Sequence, residues 1–168
     1  MPVYVRKISR SKWEKHSVNG VIPNNDPDAD AITGCTKTSE NSLSLWLVDD
    51  DSKNQIKRAI LALASVFPQG IETFHILIVE QEEIDSKFII KNNIADTPYK
   101  AMNSNHYDII ELKHSSLKTV SDVIISGLNA NKAIRVKKAD AISYLKEAIA
   151  NSSISISDLN DKIKREVE

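Results

Sequence analysis

Apolar positions along this 168-residue chain follow two periods, and the switches between them mark out its elements. Val3-Tyr-Val-Arg-Lys-Ile8 reads as an opening strand, with Ser9 and Ser11 placed to cap a short helix through Trp13. Residues 17–31, with Gly20, Pro23 and Pro27, read as a loop. Leu43-Ser-Leu-Trp-Leu-Val48 alternates, so Leu43, Leu45 and Leu47 share one face and Ser44 and Trp46 the other. The period then changes. Ile56, Ile60, Leu63 and Phe67 recur at steps of four, three and four, the stripe of an amphipathic helix, which Pro68 and Gly70 end.

Thr73-Phe-His-Ile-Leu-Ile-Val79 is apolar on both faces apart from His75, as expected at the centre of a covered sheet. Phe88-Ile-Ile90 and Tyr107-Asp-Ile-Ile-Glu-Leu112 are further strand candidates. Leu117, Val120, Ile124 and Leu128 form a second helical stripe, with Asn129 placed to cap its end. Two short helices follow, Ala139–Ala150 and Ser157–Val167, the second with Ser157 as its N-cap. Strand and helix signals alternate through the body. The expectation is an α/β protein: a mixed sheet covered by helices, with a C-terminal helical hairpin. Residues 1–130 would form the core domain and residues 131–168 a two-helix appendage packed on it.

Composition adds little to that picture. Hydrophobic residues make up 41% and charged residues 27%, ordinary for a globular chain that buries its own core without metal or disulfide. No apolar run approaches a membrane span, the first residues lack a secretory signal, and the single cysteine, Cys35, has no internal partner. A cytoplasmic protein is expected.

Charge does change it. The net charge of −1 hides a segregation: Arg6, Lys7, Arg10, Lys12 and Lys15 face only Glu14 within residues 1–16, a balance of +4. Residues 26–51 carry seven acids against Lys37, a balance of −6. Segregated charge steers association with a partner. Trp13 beside Arg6, Lys7, Arg10 and Lys12 joins the residue types that dominate binding energy at interfaces, and this group is the expected partner-binding surface. Cations beside aromatics also suit RNA, which makes an RNA-binding module a weaker alternative.

Two acidic clusters are the candidate chemistry. Asp26, Asp28 and Asp30 match the first three ligand positions of a calcium loop, but Ala31 stands where its glycine belongs and Lys37 where its glutamate belongs. They read as a turn, with Asp28 or Asp30 capping a helical turn that Gly34 ends. Asp49, Asp50 and Asp51 follow a strand directly, where carboxylates hold magnesium in phosphate-handling enzymes. Were the protein an enzyme, these three with His106 would be its catalytic set, and Asp28, Asp30, Asp49 and Asp51 its metal ligands. Capping the following helix is the preferred reading. The four glycines form neither a dinucleotide fingerprint nor a phosphate loop, so no cofactor is expected.

The expectation that follows is a small bacterial partner-binding protein of immunity, antitoxin or defence-complex type. It would act by docking on a protein encoded nearby, with nucleic acid less favoured and no membrane involved. The alternative is a metal-dependent phosphodiesterase or nuclease built on Asp49–Asp51.

Overall fold

A computed structural model describes residues 1–23, 27–36 and 40–168, with the backbone alone at His16. Asp26 and Lys37 therefore lie outside the described residues. The strands are β1 (Val3–Ile8), β2 (Leu43–Val48), β3 (Phe74–Glu80), β4 (Ile89–Asn92), β5 (His106–Ile110) and β6 (Ala133–Val136). The helices are α1 (Arg10–Trp13), α2 (Ala29–Cys35), α3 (Lys53–Ala64), α4 (Gln81–Asp85), α5 (His114–Asn129), α6 (Lys138–Ala150) and α7 (Asp161–Val167).

The strands form one sheet in the order β4-β5-β2-β1-β3-β6, and each pairing is antiparallel. The α/β class stands, with the refinement that the sheet is antiparallel throughout rather than mixed. Strand alternation sorts the side chains into two cores. Val3, Val5, Trp46, Val48, Phe74 and Ile76 face α3, α6 and α7. Tyr4, Leu43, Leu45, Leu77, Val79 and Ile109 face α5, with Trp13 of α1, Cys35 of α2 and Ile84 of α4 completing that side. Helices cover both faces, which is why β2 buries Trp46 as well as Leu43 and Leu45.

Local chemistry explains the joins. Ser52 precedes α3 as its N-cap, and its amide donates to Asp50 Oδ1 at 2.8 Å. Beyond α3, Gly70 takes φ +90°, a left-handed turn that leaves the Ile71 amide free to donate to Glu166 Oε2 at 2.7 Å. Asn129 does something other than cap its own helix: its side chain donates to the Ile22 carbonyl and accepts from the Ile22 amide, holding the 17–23 loop against α5. Asn131, at φ 56°, makes the left-handed turn after the helix instead. The N-cap of α7 is Asn160, which accepts from Lys162 and Ile163, while Ser157 sits in a preceding 3-10 turn.

Residues 131–168 do more than form the expected hairpin. They contribute β6, paired along β3 from Phe74↔Val136 to Leu77↔Ala133. Leu145 and Ile163 from α6 and α7 are fully buried in the α3 side of the molecule. Among the described residues no helix is long and apolar enough to cross a membrane.

Candidate functional site

The feature that shapes the surface lies between two central strands. β1 pairs with β3 along its whole length, from Val3↔Glu80 to Ile8↔His75, but with β2 only from Val3↔Val48 to Val5↔Trp46. The two strands part after Val5, and the Arg6 side chain enters the wedge. Its Nη1 donates to the Ser44 carbonyl of β2 at 2.6 Å and its Nη2 to the Cys35 carbonyl at the end of α2 at 2.5 Å, satisfying main-chain acceptors on both sides of the gap. Arg6 Nε is sealed from solvent without an acceptor. Burial pulls the guanidinium below its ordinary pKa, against Cys35 and Asp108, which push it up. A cleft of about 350 Å³ opens here, walled by Arg6, Lys7, Ser9, Gly34, Ser44 and Trp46.

The basic segment wraps one side of the cleft, and its members have different surroundings. Lys7 reaches Glu72 at 2.7 Å and lies 4.2 Å from the Phe67 ring centroid. Arg10 Nε meets Glu14 at 2.6 Å, and Lys15 lies 3.3 Å from Asp28. Lys12 is exposed, with no ion pair among the described residues. Trp13 is only 3% exposed, and its indole N–H donates to Cys35 Sγ at 3.0 Å. The exposed cations of this segment are therefore Lys12 and Lys15, with Lys7 and Arg10 half-buried and the tryptophan turned into the core.

The acidic clusters sit apart. Asp28 occupies the N-cap of α2 with Asp30 in its first turn. Asp49 Oδ2 accepts from Gln55 Nε2 at 3.0 Å, and the Ser52 hydroxyl and amide hold the Asp50 carboxyl below the usual range. Asp51 is exposed. Among the described residues no three His, Cys, Asp or Glu side chains converge as a metal-binding group. His106 is brought together not with these acids but with Trp46, ring centroids 4.8 Å apart, and with Asn93, whose carbonyl lies 2.6 Å from His106 Nδ1. Asp108, 6% exposed, accepts from Asn93 Nδ2 at 2.5 Å through Oδ2. Its Oδ1 has no hydrogen-bond partner, with His106 Nε2 at 3.9 Å.

A second surface feature is the outer edge of the sheet. β4 pairs with β5 on one side alone. Ile89 is 55% exposed and Ile94, two residues past its end, 73% exposed, with Lys91, Asn92 and Asn93 exposed between them. Sequence reasoning marked Phe88-Ile-Ile90 only as a strand candidate, with nothing to say that it lies at an edge, and passed over Ile94. For Arg6, alternation carried a usable signal: it shares the face of Tyr4 and Ile8, the inward side, and belongs in the sheet rather than on an exposed arm.

No protein family, no curated protein and no solved structure matches this chain.

Proposed function

We propose that this protein works by docking on a protein partner, in the manner expected of a small bacterial cytoplasmic immunity, antitoxin or defence-complex subunit. The exposed edge at β4 carries the reading. An edge strand presents unpaired N–H and C=O groups, and chains normally blunt such edges with charge, proline or a covering loop. Here one lysine, Lys91, stands between two exposed isoleucines. An extended segment of the partner adds beside β4 as a further strand. Main-chain hydrogen bonds supply affinity, and pockets for Ile89 and Ile94 supply specificity. Arg10, Lys12 and Lys15 contribute a positive field that speeds encounter with an acidic partner.

The test is calorimetric titration of the protein with the products of the genes flanking its own. Ile89→Asp and Ile94→Asp each place a charge on the docking edge and are expected to weaken binding at least roughly tenfold, the equivalent of about 1.4 kcal/mol. Arg10→Glu/Lys12→Glu is expected to slow association and flatten its salt dependence while leaving dissociation nearly unchanged. A partner bound equally well by both isoleucine variants would remove β4 as the docking edge.

A further inference from the structure

We propose that the cleft between β1 and β2 is a binding site for a phosphate group, carried by free phosphate or by a phosphate monoester. The inference does not depend on the β4 edge that carries the docking reading, although Lys12 belongs to both surfaces.

A half-buried guanidinium calls for an anion, since a partly buried charge is costly unless it is paired. Arg6 lacks one. Its two hydrogen bonds go to neutral carbonyls of Ser44 and Cys35, and they engage two of the five N–H groups an arginine carries. Among the described residues no carboxylate lies within ion-pair distance of it. Of the acids that meet this basic segment, Glu14 pairs with Arg10, Glu72 with Lys7 and Asp28 with Lys15, and Asp108 accepts from Asn93. No Asp or Glu lines the cleft.

A second cation stands at the wall. A Cβ built on Gly34 would meet Lys12 Nζ at 2.9 Å, so the ammonium rests directly on the glycine that lines the opening. The hydroxyl-bearing residues Ser9 and Ser44 line the same space. Arg6 and Lys12, neither in an ion pair among the described residues, with hydroxyls and a lining that holds no Asp or Glu, match a compact dianion, and arginine in particular suits phosphate through its planar fork. At about 350 Å³ the cleft falls at the small end of ligand pockets, enough for a phosphate and a short ester arm. Trp46, covered by His106 on one side and by the core on the other, offers no free ring face, so the recognition is of the anion and not of a base.

The full-length protein is titrated with inorganic phosphate and, separately, with O-phosphoserine, each against sodium chloride of equal ionic strength. Thermal shift and amide chemical shifts are followed together. The expected result is a saturable rise in Tm with phosphate, with amide shifts clustered at Ser9, Gly34, Cys35 and Ser44. Saturation by phosphoserine as well identifies an ester as the ligand, and saturation by phosphate alone identifies the free ion. Arg6→Gln is expected to abolish the response. Should that variant fail to fold, exposed Lys12→Gln decides: its apparent Kd rises roughly fivefold, while Lys91→Gln on the far edge binds as wild type does. A phosphate response no larger than that of chloride, amide shifts outside the cleft, or Lys12→Gln binding at wild-type strength would each overturn the proposal.

Discussion

Deleting residues 131–168 tests how far the two expected parts of the chain are separable. The deletion removes β6 from β3, leaving β3 paired with β1 on one side and open along its other edge at Ile76 and Leu77. It also removes Val136, Leu145, Ile154, Leu159, Ile163 and Val167 from the core beneath α3. At about 1.5–3 kcal/mol for each fully buried aliphatic side chain, the six account for roughly 9–18 kcal/mol. A compact unfolded state reduces that figure by up to about 40%. What remains still matches the about 5–15 kcal/mol that a whole domain has in hand. The fragment 1–130 is therefore expected to be unfolded or aggregated. It is assayed by size exclusion, near-ultraviolet circular dichroism and the emission of Trp46, which lies in the core the tail completes. A soluble monomeric fragment with a cooperative melt and a buried Trp46 would refute the reasoning and establish residues 131–168 as an appendage. The point-mutation counterpart is Leu145→Ala, expected to cost about 2–5 kcal/mol and to lower the Tm of a single transition, by about 2–4 °C per kcal/mol in a chain of this size.

Other expectations are as concrete. A Cβ on Gly127 would stand 2.8 Å from Cδ1 of Leu77, itself buried, so Gly127→Ala is expected to destabilise by about 1–2 kcal/mol in denaturant unfolding despite alanine's better helix propensity. A stabilised variant would mean that α5 and β3 have room to spare. Glu166 joins α7 to Lys138 at 2.6 Å and to the Ile71 amide, and these bonds hold its carboxyl below the usual range. Because the folded pKa is depressed, this stabilisation is present above the unfolded value and is lost as pH falls through the folded one. Glu166→Gln should therefore be less stable than wild type at neutral pH, by no more than about 1 kcal/mol given the partial exposure of the pair, with the gap closing on acidification. A gap independent of pH would contradict the assignment.

Legibility in the sequence tracked the length and purity of each pattern. β1, β2, β3, α3 and α5 each carry a full period of apolar positions, and they lie within a residue or a few of where the pattern sets them. β6 is four residues, Ala-Ile-Arg-Val, too short to show alternation, and it forms because β3 offers it a partner. α4, Gln-Glu-Glu-Ile-Asp, has a single apolar residue, Ile84, and no stripe to read. The site was harder for a different reason. The cleft exists because β1 leaves β2 after Val5 and α2 closes over the gap, and that departure is a property of pairing between distant segments. Arg6 could be placed inward by its position in the strand, whereas its two carbonyl partners, Ser44 and Cys35, lie 38 and 29 residues away and carry no sequence signature. The β4 edge illustrates the converse, since exposure of Ile89 and Ile94 depends on strand order and not on the residues themselves.

The chain's single cysteine also gives it an internal clock. Cys35 Sγ accepts from the Ser9 amide at 3.1 Å and from Trp13 Nε1, so the sulfur is the pin on which the corner between β1, α1 and α2 closes. A thiol reagent reaches it only when that corner opens, and the labelling rate then measures the free energy of a local excursion rather than of global unfolding. Since the Cys35 carbonyl also holds Arg6, anything seated in the cleft would slow the clock, and occupancy could be timed by mass spectrometry without a tag or a dye.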